Sequence, residues 1–215
     1  MASPEQFLTF IAAALVLNLS PGVDHVYILS RTVAQGRLVG FMSSWGVCTG
    51  AMIHVLTAAL GLSAILAASA AAFTAVKVIG AAYLIWLGVQ ALRSKGLAIQ
   101  AKDLTNNGKD KPVTPWASFR QGVLIDVLNP KVAIFFLAFL PQFIDPSRGA
   151  AWWQITFLGT VVVLIAFIWE AILVFGAGFI SSWLQRQREG TKWLNRAMGG
   201  TFVGLGVWLL TQQQE

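Results

Sequence analysis

The chain has one cysteine, two histidines and nine acidic residues in 215, and charged side chains of both signs make up only 11% of it. One cysteine excludes an intramolecular disulfide framework, and no Cys/His cluster has the spacing a metal site needs, so no metal or cofactor is expected. The shortage of charge excludes more. With 56% hydrophobic residues and a mean hydropathy of +0.68, the chain lacks the polar surface of an ordinary water-soluble domain. Lys and Arg are also missing from Met1 to Gln6, and the first apolar run ends in Leu19-Ser20-Pro21-Gly22 without a small-residue cleavage pattern. That run reads as an uncleaved span.

Long apolar runs are what the chain has instead. A bilayer core of about 30 Å takes roughly 20 apolar residues per helix, and six stretches meet that need, near 7–29, 39–62, 70–92, 119–141, 150–182 and 197–212. They are too long and continuous for barrel strands and predict an all-α integral membrane protein with six transmembrane helices, a single membrane domain over 1–215. The fifth stretch exceeds the bilayer and should tilt or protrude, while the sixth is short and borrows Trp193 and Leu194. Trp116, Trp152, Trp153, Trp183 and Trp193 fall near predicted ends, at headgroup depth. Cys48, inside the second span, is expected to pack as a small apolar residue. The sequon letters of Asn18-Leu19-Ser20 mean nothing at membrane depth.

A net charge of +6 would suit nucleic acid, but the positions of the basic residues exclude that partner. Arg31 and Arg37 follow span one; Arg93, Lys95, Lys102, Lys109, Lys111 and Arg120 surround the connection after span three; Arg186, Arg188, Lys192 and Arg196 follow span five. The loops after spans two and four hold only Arg148. The positive-inside rule then places the three basic loops in the cytoplasm and both termini outside, with the basic loops against an anionic inner leaflet. The connection 94–116, rich in Lys, Asn, Asp and Gly, reads as a cytoplasmic linker between a first repeat, 1–93, and a second, 117–215. Three spans per half require two related halves to insert in opposite orientations, an arrangement of inverted repeats.

Each half begins with a span that is interrupted. Asn18-Leu19-Ser20-Pro21-Gly22-Val23-Asp24 breaks the first and Asp126-Val127-Leu128-Asn129-Pro130-Lys131 the fourth, both near mid-depth at 1.5 Å per residue. Proline inside a helix costs about 3 kcal/mol. Ser20 before Pro21 and Asn129 before Pro130 are cap-type residues ahead of a first-turn proline, so each pair is expected to start a new half-helix. Two such N-termini meeting from opposite sides would offer free N–H groups and partial positive charge to a carboxylate. Ordinary proline kinks are the plainer alternative.

Asp24, Asp126, Lys131 and Glu170 lie at membrane depth, where a charge facing lipid costs at least about 2–3 kcal/mol, so they are expected to face a polar interior. Lys131 opposes its own helix dipole and so needs a carboxylate, either a substrate's or that of Asp126 or Asp24. Asp24, Asp126 and Glu170 are candidates for holding a transported proton, with structural roles open for each. His25 and His54 read as hydrogen-bonded packing residues. Gly36, Gly40, Gly46, Gly50, Gly80, Gly88, Gly200 and Gly204 read as points of close helix packing.

Together, Ser20-Pro21-Gly22, the ladder Gly36-Gly40-Gly46-Gly50, the run Lys77-Val78-Ile79-Gly80-Ala81-Ala82-Tyr83-Leu84-Ile85-Trp86-Leu87-Gly88, and Asn129-Pro130-Lys131 with Phe135-Phe136 and Pro141-Gln142-Phe143 resemble the lysine exporter (LysE/RhtB-type) superfamily, and within it the homoserine/threonine exporter-like branch. The resemblance implies a bacterial inner-membrane exporter of amino acids or their derivatives, with substrates of the homoserine, threonine or leucine kind and coupling to the proton gradient. Val23 stands where the family has the second proline of Pro-Gly-Pro, and Ala51 where an acidic residue is common. On this reading a zwitterionic amino acid binds among Ser20, Pro21, Gly22, Asp24, Asp126, Asn129, Pro130 and Lys131, and no residue is catalytic. Its carboxylate faces the half-helix N-termini and Lys131, and its ammonium faces Asp24 or Asp126. The partners are substrate and membrane lipid, with homo-oligomers compatible. An intramembrane hydrolase using Asp24 and Asp126, or a passive channel, are the alternatives.

Overall fold

The structure is a computed structural model and describes residues 4–68, 70–93, 113–186 and 188–211. Every regular element among them is helical. Helix α1 (Pro4–Leu19) is followed by α2 (Val23–Gln35), α3 (Arg37–Ala68) and α4 (Ala70–Arg93). Beyond the connection come α5 (Pro115–Val127) and α6 (Pro130–Ile134), which runs on through a π-helical segment, Phe135–Phe139, and a 3-10 turn, Leu140–Phe143. A short turn, Pro146–Arg148, leads into α7 (Ala151–Arg186), and α8 (Arg188–Thr211) completes the bundle.

Three helices are long and apolar enough to cross a membrane, over Arg37–Gly61, Thr74–Arg93 and Ala151–Phe179. Two further candidate spans are bent helix pairs, Gln6–Leu19 with Val23–Gln35 and Pro115–Val127 with Pro130–Phe143, each bent by 50° at its break. The described part of the sixth expected span is a shorter apolar helix, Gly199–Thr211. The side chains of Trp183, Trp193 and Leu194, and the linker residues 94–112, lie outside what is described. Two boundaries move. The first span continues to Gln35, where Gly36 at φ 88° ends it by donating its N–H to the Thr32 carbonyl at 2.9 Å. The fourth starts at Pro115, because the Thr114 side chain accepts from Ala117 N at 3.2 Å and proline suits the first turn, so Pro115 and Trp116 belong to α5 and not to the linker.

Polarity runs the opposite way to that of a soluble bundle. Leu60, Leu128 and Phe179 are 76%, 76% and 77% exposed, while Asp126, Glu170 and Ser43 are buried. Large apolar side chains facing outward identify lipid as the solvent, and the polar groups are sequestered from it. Trp116, Trp152 and Trp153 are exposed in the first turns of α5 and α7, as expected of interfacial tryptophans.

Close backbone approach holds the helices together. A side chain at Gly122 would meet the Ser43 carbonyl at 2.5 Å, and one at Gly50 would meet Asp126 Cβ at 2.7 Å, so α3 and α5 pack with almost nothing between them. Gly88 and Gly199 face each other's carbonyls at 2.6 and 2.7 Å and join α4 to α8 in the same way. The expected packing roles of Gly36, Gly200 and Gly204 fail among the described residues, none of which comes within 4 Å of a Cβ built at any of the three. Gly36 serves the turn, and Gly199 and Gly206 take the α8 contacts instead.

Behind the fourth span, Pro141 cannot donate to the carbonyl four residues earlier. The helix widens over Phe135–Phe139 and tightens over Leu140–Phe143, and a stack of rings fills the space: Phe10 against Phe143 at 5.3 Å, Phe139 against Phe143 at 5.1 Å and Trp208 against Phe143 at 5.7 Å.

Candidate functional site

The two breaks are built differently. At the first, Ser20 N still donates to the Val16 carbonyl at 3.0 Å, so Ser20 closes α1 instead of opening α2. The cap of α2 is Gly22, extended at φ −145°, with no side-chain hydrogen bond. The expectation that Ser20 caps a helix beginning at Pro21 is therefore wrong. Pro21 shifts the start by two residues, and Val23 opens α2. At the second break the expectation holds: Asn129 Oδ1 accepts from Lys131 N at 3.1 Å and Pro130 occupies the first turn.

The breaks nevertheless meet through one side chain. Lys131 begins at the N-terminal end of α6, where its charge is unwelcome, and extends to the C-terminal end of α1, where carbonyls are unpaired. Its Nζ donates to Ser20 O at 3.1 Å and Leu17 O at 3.4 Å and stands 3.8 Å from Asp24 Oδ2. Lys131 is 8% exposed, and Asp24 is 7%. Gly22 makes this possible, since a Cβ there would lie 3.1 Å from Lys131 Nζ and collide with Asp24 Oδ1. His25 Nδ1 is 3.8 Å from Asp24 Oδ1. Of the two partners open to Lys131, the structure pairs it with Asp24.

Asp126 and Glu170 join the same place from α5 and α7. A narrow cleft is lined by Asp24, Lys131, Asp126 and Glu170 together with Asn18, Cys48 and apolar side chains. Asp126 is packed against Gly50, and its Oδ2 has no hydrogen-bond partner. Its backbone carbonyl lies 3.1 Å from His54 Nε2, which accounts for that histidine as a packing group. Asn129 Nδ2 and Asp24 Oδ1 are likewise buried without a hydrogen-bond partner. Buried donors and acceptors are thus both left without hydrogen-bond partners around the two breaks.

Glu170 has partners that sequence reading missed. Its Oε2 accepts from Ser44 Oγ at 2.6 Å and from Cys48 Sγ at 3.5 Å. Cys48 is therefore not only a small apolar filler, because α3 turns its thiol toward the carboxylate. Paired serines, Ser43 and Ser44, in an otherwise apolar helix were the available signal. Asn18 is held by donating to Val162 O at 3.2 Å, inside the bundle, in keeping with its dismissed sequon. Of the residues expected at the site, Asp24, Asp126, Lys131 and Glu170 line the cleft; Ser20 supplies a carbonyl, Gly22 supplies space, and Pro21 and Asn129-Pro130 shape the breaks. Ala51, where the resemblance implies an acidic residue, also lines it, while Val23 is exposed. Among the described residues no group of three or more His, Cys, Asp or Glu side chains forms a metal site.

A second polar cluster lies at the other end of α2. Tyr27 OH donates to Ser118 O at 2.8 Å, Arg31 Nη2 to Gln121 Oε1 at 3.1 Å, and Arg37 Nη2 to Phe175 O at 3.4 Å. The C-terminal end of α2 and the start of α5 are thus joined, as are the first residue of α3 and the later turns of α7.

Comparison with known sequences agrees with this architecture. The family model described as LysE type translocator matches residues 15–213. An uncharacterized membrane protein of Vibrio cholerae serotype O1 is 34% identical over 208 residues, 95% of this chain and 96% of the relative. The membrane protein YrhP of Bacillus subtilis (strain 168) is 30% identical over 204 residues, 93% of this chain and 96% of the relative. A leucine efflux protein of Enterobacter sp. (strain 638) is 28% identical over 201 residues, 94% of this chain and 93% of the relative. No solved structure matches the chain.

Proposed function

The chain belongs to the LysE type translocator family, and from that premise we propose that it exports small amino acids or close derivatives, of the homoserine, threonine or leucine kind, across a bacterial inner membrane. It is a multi-pass membrane transporter and not an enzyme, which removes the alternative of a hydrolase using Asp24 and Asp126. The leucine efflux relative supports an amino-acid cargo. One observation carries the reading: a cleft beside both helix breaks is lined by one ammonium, that of Lys131, and three carboxylates, those of Asp24, Asp126 and Glu170. A zwitterion needs both signs of charge within a few ångströms, and a site for either sign alone would not provide them.

Substrate binds between the two broken helices, its carboxylate toward Asn129 Nδ2 and Lys131, its ammonium toward Asp24 or Asp126. The halves 1–93 and 117–215 act as inverted repeats that rock about this point, with 94–116 linking them in the cytoplasm and both termini outside. The buried carboxylates support coupling by proton antiport. The described partners of Glu170 are a hydroxyl and a thiol, neither of them a cation, so its ionised form is poorly compensated at membrane depth. A carboxylate of that kind releases its proton when it reaches water on one side and regains one on the other.

Counterflow in proteoliposomes tests the proposal. Vesicles preloaded with an unlabelled amino acid should accumulate the labelled one, saturably and in response to an imposed pH gradient. No uptake from a broad amino-acid panel would remove the exporter reading, and uptake that never saturates would point to a passive channel instead.

A further inference from the structure

The ammonium of Lys131 rests in a cage that is not made for lysine in particular. Two carbonyls from the end of α1, Leu17 O and Ser20 O, accept from it, and the Asp24 carboxylate supplies the counter-charge. These groups recognise a primary ammonium, with its three donors, whatever chain it is attached to. All three partners belong to the first half of the molecule, while the lysine reaches in from the second. Gly22 keeps the approach open. Asn129, whose Oδ1 accepts from the backbone N of the same Lys131, is buried, and its Nδ2 has no hydrogen-bond partner, so a free donor for a carboxylate is held at the root of the lysine that fills the cage.

We propose that the C-terminal carbonyls of α1 and Asp24 form the ammonium subsite for the cargo, and that Lys131 occupies it as a tethered surrogate until substrate displaces it. The inference rests on the amino-acid export reading and deepens it, since it assigns the α-ammonium to Leu17 O, Ser20 O and Asp24 and leaves Asp126 outside that subsite. Once displaced, the Lys131 ammonium stays within reach of the incoming carboxylate, beside Asn129. The exchange conserves charge: one ammonium leaves the cage as another enters, and the released cation meets the anion that arrives with it. An empty carrier with Lys131 in place also ties the two halves together, so loading cargo and releasing the tie become one event.

The test uses purified Lys131→Ala protein, whose cage is empty, and follows thermal unfolding with methylammonium, ethylammonium or propylammonium against equal concentrations of tetramethylammonium and sodium. The primary amines should raise the variant's midpoint by roughly 2–4 °C at saturation, leave the wild type unmoved, and lose their effect when Asp24→Asn is added. Lys131→Met, whose uncharged flexible chain can leave the cage, repeats the test should the alanine variant fold poorly. Equal shifts with tetramethylammonium, or none with any amine in either variant, would overturn the subsite. Counterflow by the wild type separates the two levels: transport without an amine shift sinks the subsite and spares the export reading, whereas an amine shift without transport does the reverse.

Discussion

At the scale of single residues, the geometry separates side chains that share a motif. Asn129 caps its half-helix through Oδ1, and Ser20 caps nothing. Asn129→Ala should therefore lower stability by about 1 kcal/mol, and Ser20→Ala should stay within about 0.5 kcal/mol of wild type, both read from thermal unfolding in detergent. Equal losses would mean that the two breaks are capped alike after all. Gly22→Ala meets a different obstacle. Its backbone is extended, so the added methyl brings no conformational strain, but it enters the space between Asp24 and Lys131. Counterflow should fall at least about tenfold, which corresponds to 1.4 kcal/mol of lost binding, with the folded yield kept. Glu170→Gln retains a group for Ser44 to bond and removes only the titratable proton. Exchange of labelled for unlabelled cargo should persist in that variant while uptake driven by a pH gradient disappears; gradient-driven uptake at the wild-type rate would exclude Glu170 as the coupling group.

Among the elements, packing depends on where glycine lies opposite backbone rather than on how glycines are spaced. Gly122 opposes the Ser43 carbonyl, so Gly122→Ala should push α5 off α3 and cost about 1–3 kcal/mol. Gly204→Ala, at a position with nothing near its Cβ, should be neutral or slightly stabilising, since alanine is the better helix former by about 1 kcal/mol. Comparison of the two unfolding midpoints checks both. The same contrast explains why the Gly200-x3-Gly204 spacing misled: its neighbours in α8, Gly199 and Gly206, are the ones that turn toward α4. Spacing gives a face of a helix, but only the partner's position says which face is used.

For the whole molecule, contacts join Arg31 of α2 to α5 and Arg37 of α3 to α7, and the proposed topology takes the face that carries these basic residues as the cytoplasmic one. A reporter active only outside the cytoplasm should work when fused at the N-terminus and fail when placed in the 94–112 connection. The reverse result would invert the topology and with it the direction of transport.

The amino-acid sequence by itself determined the class of the protein, the approximate places of its spans and the two interruptions, because apolar runs of bilayer length and mid-run prolines act locally and need no partner to be read. It also marked Asp24, Asp126, Lys131 and Glu170 as residues that must avoid lipid. Tertiary structure alone decided how they are shared out: Lys131 crosses to the carbonyl end of the other half's helix, Glu170 finds Ser44 and Cys48 on α3, and Asp126 settles against Gly50. Those pairings join residues separated by more than seventy positions. They arise when buried charges seek the nearest groups that can compensate them, and which groups are nearest is fixed only once the helices have packed.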